Sequence, residues 1–205
     1  AADLARDSLD EVPEGLDYVL HFAVVKSRAQ DFEYDLAANA EGLGVLMSQC
    51  RESGALLHCS STAVYAPAGH TLLTEDHPLG DNHAAFMPTY SICKIAAEVV
   101  ARTVARSFAI PTTIARLNVP YGDGGGWPAI HLEQVLAGTP VAVSPDAPNT
   151  FNPIHEDDIL AMVPRLLEIA SYWEDTRTCF DIPGLPDRLE KEAISWKYYG
   201  LPDQW

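Results

Sequence analysis

The order of strand-like and helix-like segments constrains the fold of this chain more than any other feature. Apolar runs at residues 17–23, 55–60 and 112–117 predict buried strands, since nearly continuous apolar runs are typical of parallel strands covered on both faces. Apolar residues with a helical period fill the intervals, at 36–50 and 89–108. Three strands that alternate with two helices predict parallel crossover units, and therefore an α/β fold.

The pattern is less regular after residue 118. Two further helices and two short strands are predicted, over 127–136, 156–169, 139–143 and 178–182. The polar stretch 67–88 is predicted to be a loop, and loops of more than about 15 residues are typical of functional or disordered segments. The tail from residue 187 fits none of these layers.

The charge balance excludes several classes of partner. The chain has 29 acidic and 13 basic residues, a formal net charge of −16. This charge repels polyphosphate backbones and anionic membrane surfaces, so neither nucleic acid nor a membrane is expected as a partner. Four cysteines without a Cys-x-x-Cys spacing indicate free thiols in a reducing, cytoplasmic setting; they are Cys50, Cys59, Cys93 and Cys179.

Ser61, Tyr90 and Lys94 form the strongest chemical pattern in the sequence. Ser61 lies at the end of the second predicted strand, and the other two begin the longest predicted helix. Residues four apart share one helix face, so the phenol and the ammonium are expected to be neighbours. A nearby cation lowers the pKa of a phenol, which suits a tyrosine for proton exchange with a substrate alcohol. The carboxyl end of a parallel strand faces the ligand crevice, where the serine hydroxyl would hold the substrate oxygen.

Rival sites are poorly supported. His70, His77 and His83 have spacings that match no standard metal motif, so no metal site is predicted. The glycine-rich run 122–126 lacks the Gly-Lys-Ser/Thr of a P-loop. The neighbours of Ser61 do not form the Gly-x-Ser-x-Gly turn of a hydrolase.

Several motifs occur together in one order. They are the strand 17–23 followed by Lys26, Asn39 in the next helix, the Ser-Ser-x-x-Val-Tyr segment 60–65, the Tyr-x-x-x-Lys segment 88–94 with Glu98 beyond it, the strand and Tyr-Gly turn 116–122, and the His-x-x-Asp segment 152–158. With these motifs the sequence resembles the extended short-chain dehydrogenase/reductase family, the NAD-dependent epimerase/dehydratase group. The resemblance covers residues 14–183.

The resemblance implies a Rossmann-like doubly wound parallel sheet with a small C-terminal substrate-binding part. Residues 1–120 would form the dinucleotide-binding domain, and residues 121–205 mainly the substrate-binding part, interleaved with the last strands of the first domain. Tyr90 would be the catalytic acid/base, Lys94 would lower its pKa and bind the nicotinamide ribose, and Ser61 would orient the substrate oxygen. Family members often pair through the Tyr-x-x-x-Lys helix, which implies a homodimer.

The resemblance also implies two sets of binding residues. The residues expected to contact NAD or NADP are Phe22, Ala23, Lys26, Asn39, Ser60, Tyr90, Lys94 and Pro120. The residues expected to contact the substrate are Ser61, Thr62, Asn118 and Val119. Val119 stands in place of a usual asparagine, with Asn118 one position earlier.

The sequence lacks the glycine-rich turn with which the family opens. No Gly-x-x-Gly-x-x-Gly pattern occurs, although in the family the backbone of this turn and the helix start behind it hold the pyrophosphate. We therefore expect the N-terminal strands and this turn to be missing from the sequence, either truncated or left out as untraced residues. The choice between NAD and NADP depends on a residue of that region and stays open.

Two further departures bear on the substrate. Thr62 and Ala63 replace the Asp-Glu pair with which family 4,6-dehydratases eliminate water, so a dehydratase is not expected. Phe151 replaces an arginine that many nucleotide-sugar epimerases place against the diphosphate. With the negative charge, this favours an oxidoreductase or epimerase that acts on a neutral or weakly charged secondary alcohol or ketone, such as a sugar-like molecule. A nucleotide-sugar epimerase and a catalytically silent dinucleotide-binding sensor or scaffold are the alternatives.

Overall fold

The structure is a computed structural model that describes residues 2–25, 31–80, 82, 87–123, 125–141 and 152–170. The chain divides into two compact units, whose described parts are residues 2–116 with 164–170, and residues 117–163. The domain boundary expected at residue 120 stays a prediction. None of the helices within the described ranges combines the length and the apolar character that crossing a bilayer requires.

A sheet of three strands forms the centre of the first unit. The strands are β1 (Tyr18–His21), β2 (Ala55–Ser61) and β3 (Thr112–Leu117), in the order β1-β2-β3. β1 and β2 run parallel, with His21 directly opposite His58. The three strands predicted from apolar runs are therefore confirmed, although β1 is shorter than its run.

The connection from β1 to β2 is helical between Phe32 and Gln49. It consists of α1 (Phe32–Leu36), a π-helical turn (Ala37–Glu41) and α2 (Gly42–Gln49). The Asp31 side chain accepts a hydrogen bond from the Tyr34 backbone N–H at 3.0 Å, so it satisfies one of the unpaired donors at the helix start. The helix predicted over 36–50 is confirmed, but it begins earlier and contains a π-helical turn around Asn39.

α3 (Tyr90–Phe108) follows β2 and packs on the sheet through small side chains. Ala97, Ala101 and Ala105 are buried against a core that includes Val19, Leu43, Met47, Leu56 and Ile110. The predicted helix over 89–108 is confirmed. Of its large apolar residues, Val100 and Val104 are partly buried and pack against this core, whereas Ile92 and Val99 are exposed. Alanines allow a close approach of the helix to the sheet, which larger side chains would prevent.

The C-terminal end of α3 contains a strained residue. Ala109 follows the helix with φ 53° and ψ 43°, and its backbone N–H donates to the Ala105 carbonyl. A residue with a Cβ has a steric cost in this left-handed conformation, whereas glycine does not.

The Ala109 side chain is exposed, so its removal costs no packing. Ala109→Gly is expected to raise the free energy of unfolding by about 1 kcal/mol, as measured by urea denaturation. Ala109→Val should lower the free energy of unfolding. A valine variant more stable than the glycine variant would contradict the prediction.

The second unit contains a short parallel pair of strands. β4 (Pro120–Tyr121) pairs with β5 (Ile154–His155). Two helices complete the order of elements, α4 (Trp127–Leu136) and α5 (Glu156–Glu168), and they confirm the helices predicted in this part of the sequence. Residues 139–141 are not in a strand, so that part of the predicted strand 139–143 is wrong. Residues 142–143 and the predicted strand 178–182 lie outside the described residues.

Candidate active site

Ser61, Tyr90 and Lys94 lie together in the first unit. Ser61 is the last residue of β2 and Tyr90 is the first residue of α3. The Ser61 side chain makes a hydrogen bond to the Tyr90 phenol. Lys94 is one helical turn further on and is 4% exposed, with its Nζ 5.9 Å from the centre of the Tyr90 ring. The three side chains that the sequence singles out are thus brought to one place, at the carboxyl end of β2.

The Tyr90 phenol is held in its neutral form. Burial raises its pKa above the ordinary value, the hydrogen bond from Ser61 opposes this, and the nearby Cys59 thiol adds to the rise. This net rise runs against the acidic phenol expected from the sequence, because desolvation of the phenolate is the largest influence on the pKa. That Lys94, whose Nζ donates to the Cys59 carbonyl at 2.7 Å, lowers the pKa of Tyr90 stays a prediction.

The turn after β2 orients the Ser61 hydroxyl. Ser61 precedes a 3-10 turn, Thr62–Val64, and its Oγ accepts a hydrogen bond from the Ala63 backbone N–H at 3.2 Å. An accepted bond from the backbone leaves the hydroxyl proton available for another acceptor. Ala63 is buried, whereas Thr62 is partly exposed.

Asn39 holds the loop that follows β1. Its side-chain oxygen accepts from the Val25 backbone N–H at 2.8 Å, and its amide nitrogen donates to the carbonyls of Val25 at 3.0 Å and Asp35 at 2.8 Å. These bonds use both N–H donors of the amide on protein backbone. Phe22 and Ala23 are exposed in the same loop. Lys26, which was expected to contact the cofactor, lies outside the described residues.

Ser60 takes part in a buried ionic network. Its Oγ donates to Glu98 Oε1 at 2.6 Å. Glu98, 0% exposed, also accepts two hydrogen bonds from the Arg116 guanidinium, at 2.9 and 2.7 Å. Arg116 donates in addition to the Tyr65 hydroxyl at 3.0 Å, and the pairing with Glu98 raises its pKa against the effect of burial. The side chain of Ser60 therefore bonds to protein rather than pointing to solvent.

Two buried histidines were not recognised from the sequence. His21 and His58 face each other across β1 and β2, with their Nδ1 atoms 3.0 Å apart. Burial, and then the nearby Lys94 charge, lowers the pKa of His21 to about 4. Burial, His21 and Lys94 lower the pKa of His58 to about 2. The signal available in the sequence was a histidine in each of two strands predicted to be buried.

The remaining predicted site residues belong to the second unit. Val119 is 1% exposed and has φ 29°, a left-handed conformation that costs a β-branched residue roughly 1–3 kcal/mol. Its carbonyl accepts from the Ile154 backbone N–H at 3.2 Å, so pairing with β5 helps to hold the conformation. Asn118 is partly exposed and Pro120 is exposed.

No group of three or more potential metal ligands occurs among the residues that the structure describes. His70 is exposed and the ring of His77 stacks edge-on against Tyr65, with the ring centres 6.2 Å apart. His83 lies outside the described residues.

A family model and two sets of known proteins match this chain. The model described as the NAD-dependent epimerase/dehydratase family matches residues 2–169. An Arabidopsis thaliana protein named trifunctional UDP-glucose 4,6-dehydratase/UDP-4-keto-6-deoxy-D-glucose 3,5-epimerase/UDP-4-keto-L-rhamnose-reductase is 28% identical over 174 residues, which are 77% of this chain and 25% of that protein. A second Arabidopsis protein of the same name is 32% identical over 133 residues, 60% of this chain and 18% of that protein.

Solved structures share the fold at lower identity. UDP-glucuronic acid 4-epimerase from Bacillus cereus, in complex with UDP-glucuronic acid and NAD, has a TM-score of 0.62 and 22% identity, over 74% of this chain and 49% of that one. DesIV, a dTDP-glucose 4,6-dehydratase from Streptomyces venezuelae with NAD bound, has a TM-score of 0.65 and 23% identity, over 82% of this chain and 52% of that one. These neighbours confirm the predicted Rossmann-like α/β fold. The chain spans about half the length of these solved proteins and a quarter or less of the curated relatives.

Proposed function

Because the chain belongs to the NAD-dependent epimerase/dehydratase family, we propose that it acts as an oxidoreductase or epimerase on a secondary alcohol or ketone of a sugar-like substrate. The observation that carries this proposal is the hydrogen bond between Ser61 and the Tyr90 phenol, with Lys94 beside them. NAD, when bound, supplies the acceptor and donor of hydride. The exposed Phe22 and Ala23 at the end of β1 and the ammonium of Lys94 fit a role in holding it.

Tyr90 has the role of the acid/base in this proposal. With its pKa raised by burial, the phenol is protonated near neutral pH, which suits it to donate a proton to the alkoxide formed when a ketone is reduced. The reverse reaction needs the phenolate, and positive charge close to the phenol favours that form. Lys94 contributes such a charge. Ser61, which is hydrogen-bonded to the phenol in this structure, would turn its hydroxyl proton to the substrate oxygen when substrate binds.

Two residues that were expected to contact the cofactor, Asn39 and Ser60, have their polar atoms bonded to the protein. The amide of Asn39 bonds to backbone and the hydroxyl of Ser60 bonds to Glu98, so we assign both to positioning. Asn39 fixes the loop that carries Phe22 and Ala23, and Ser60 fixes the end of β2. Pro120, Asn118 and Val119 retain their predicted roles as cofactor and substrate contacts.

The substrate class that we propose is a nucleotide sugar. The curated relatives and the solved neighbours are named for UDP- and dTDP-sugars, which favours this class over the neutral alcohol expected from sequence departures. Elimination of water needs an acid and a base beyond the tyrosine. Thr62 supplies a hydroxyl and Ala63 a buried methyl group, so we propose oxidation, reduction or epimerisation rather than dehydration.

A cytoplasmic location and a homodimer are further proposals. Cys50, Cys59 and Cys93 are free thiols, which supports a reducing compartment. The homodimer follows from the family resemblance, and analytical ultracentrifugation tests it directly.

Incubation of the protein with NAD and a nucleotide sugar tests the proposed function. UDP-glucuronic acid, UDP-glucose and a simple secondary alcohol serve as three separate probes, with NADH followed by absorbance and the sugar by proton NMR. We expect an epimer or a keto sugar from a nucleotide sugar, and no 4-keto-6-deoxy product. NAD binding measured by calorimetry without turnover of any probe would favour a silent sensor, and a 4-keto-6-deoxy product would contradict the argument from Thr62 and Ala63.

A further inference from the structure

The segment that carries Ser61 is attached to α3 on both sides of the serine. Three hydrogen bonds make the attachment: from Lys94 Nζ to the Cys59 carbonyl at 2.7 Å, from Ser60 Oγ to Glu98 Oε1 at 2.6 Å, and from Ser91 Oγ to the Ala63 carbonyl at 2.8 Å. Since Tyr90 is itself on α3, these three bonds, the Ser61 clamp, fix the distance between the two hydroxyl groups of the candidate site.

The anchor of the clamp at Glu98 is rigid. Glu98 is fully buried, and its two carboxylate oxygens accept a pair of hydrogen bonds from Arg116 on β3. A bidentate pair of this kind fixes the plane of the carboxylate as well as its position. Ser60 therefore bonds to a carboxylate whose orientation is fixed by Arg116, so a shift of the strand end would weaken the bond.

The anchor at Ser91 lies next to the acid/base itself. Ser91 is buried in the first turn of α3, and besides donating to the Ala63 carbonyl its Oγ accepts from the Asn82 backbone N–H at 3.1 Å. The Ala63 backbone N–H in turn donates to Ser61 Oγ. Ser91 thus holds the residue that orients the Ser61 hydroxyl.

We propose that Ser60 and Ser91 are positioning residues that hold the Ser61 hydroxyl against the Tyr90 phenol. This inference rests on the proposed role of Tyr90 as the acid/base. Neither serine touches the reacting atoms, and each acts through the backbone next to Ser61. A hydrogen bond weakens steeply once donor and acceptor separate, so loss of either anchor should weaken the hydrogen bond between Ser61 and Tyr90. That bond lowers the pKa of Tyr90, and the pKa should therefore rise when the bond is weakened.

Alanine at either anchor tests the clamp by kinetics. Ser60→Ala and Ser91→Ala are each expected to lower kcat roughly 10-fold with little change in KM, because misplacement of a catalytic group slows chemistry more than binding. UDP-glucuronic acid or UDP-glucose is the probe. Ser60→Thr keeps the hydroxyl and should restore most of the rate. Ser48→Ala is the matched control, since Ser48 Oγ donates to the Gly44 carbonyl within α2, and it should leave kcat unchanged.

The ionisation of Tyr90 gives a readout that does not require turnover. Difluorotyrosine, whose phenol ionises at lower pH than that of tyrosine, is incorporated in place of the tyrosines of the protein. Its titration is followed by fluorine NMR, and the Tyr90→Phe variant identifies the resonance of position 90. Both alanine variants are expected to raise the pKa at position 90, while Ser48→Ala leaves it unchanged. An unchanged titration in folded Ser60→Ala and Ser91→Ala overturns the clamp. A raised pKa without turnover of either sugar keeps the clamp and rejects the proposed function.

Discussion

Tyr90→Phe is expected to lower turnover about 100-fold or more while the affinity for NAD stays nearly unchanged. Phenylalanine keeps the ring but removes the only group at this position that can exchange a proton with the substrate oxygen. Tyr90 is the first residue of α3, and the variant keeps its ring, so the fold should persist. The measurement is kcat with a nucleotide sugar as probe, combined with the dissociation constant for NAD from calorimetry.

Tyr18→Phe is a matched control for that result. Tyr18 is an exposed tyrosine on β1 in the same unit, and the same loss of a hydroxyl there should leave both kcat and NAD affinity unchanged. Wild-type turnover in Tyr90→Phe would remove the assigned role of the phenol. An equal loss of NAD affinity and turnover would instead indicate that Tyr90 contributes to binding.

Strong local patterns made the framework of the fold predictable. Short apolar runs predict the strands β1, β2 and β3, and apolar residues at helical spacing predict the helices between them. Both signals depend only on residues that are close in sequence. The order of these elements then limits the connections to parallel crossovers. For the same reason, Ser61 and Tyr90 could be placed at one edge of the sheet before any distance was known.

The buried face of α3 was only partly predictable from hydrophobicity. Val100 and Val104 pack against the core as the apolar pattern predicts, but the fully buried residues are alanines, together with the charged Lys94 and Glu98. These two charges are buried because each has a partner: the Cys59 carbonyl for Lys94 and Arg116 for Glu98. Burial of a charge depends on such partners, and a helical period does not identify them.

Side-chain partners distant in sequence explain why we propose positioning roles for Asn39 and Ser60. The contacts of Asn39 with Val25 and of Ser60 with Glu98 join positions 14 and 38 residues apart. A motif indicates that an asparagine or a serine occurs at a given place, but not whether its polar atoms are already used by the protein. That distinction separates a ligand contact from a positioning residue.

The buried histidine pair should make the protein sensitive to mild acid. Only one of the two facing Nδ1 atoms of His21 and His58, 3.0 Å apart, can carry the proton of their hydrogen bond. A second proton between them would turn two N–H donors towards each other and would add a positive charge, close to the ammonium of Lys94, in a buried site. Burial accordingly lowers the pKa of His21 from 6.5 to about 4 and that of His58 to about 2.

The sign of the effect follows from where each state binds protons. Below pH 6.5 the unfolded chain protonates both histidines, whereas the folded protein keeps His21 neutral down to about 4 and His58 to about 2. Stability is therefore complete above pH 6.5 and falls as the pH decreases. By about pH 5 the loss is about 2 kcal/mol for each histidine, since each pH unit below the unfolded pKa costs about 1.4 kcal/mol.

Urea unfolding of wild type and of the double variant His21→Asn/His58→Asn, each at about pH 7 and about pH 5, isolates this contribution. Asparagines preserve a polar pair but do not titrate, so the variant should lose less stability than wild type on acidification. His70→Asn removes an exposed histidine and should behave as wild type. Carboxylates elsewhere titrate alike in all three proteins. A difference between the proteins in how much unfolding free energy is lost from pH 7 to pH 5 is therefore due to the buried histidine pair. Parallel loss of stability in wild type and the double variant would mean that the folded protein admits protons to this site, and that water reaches the strand ends beneath Lys94.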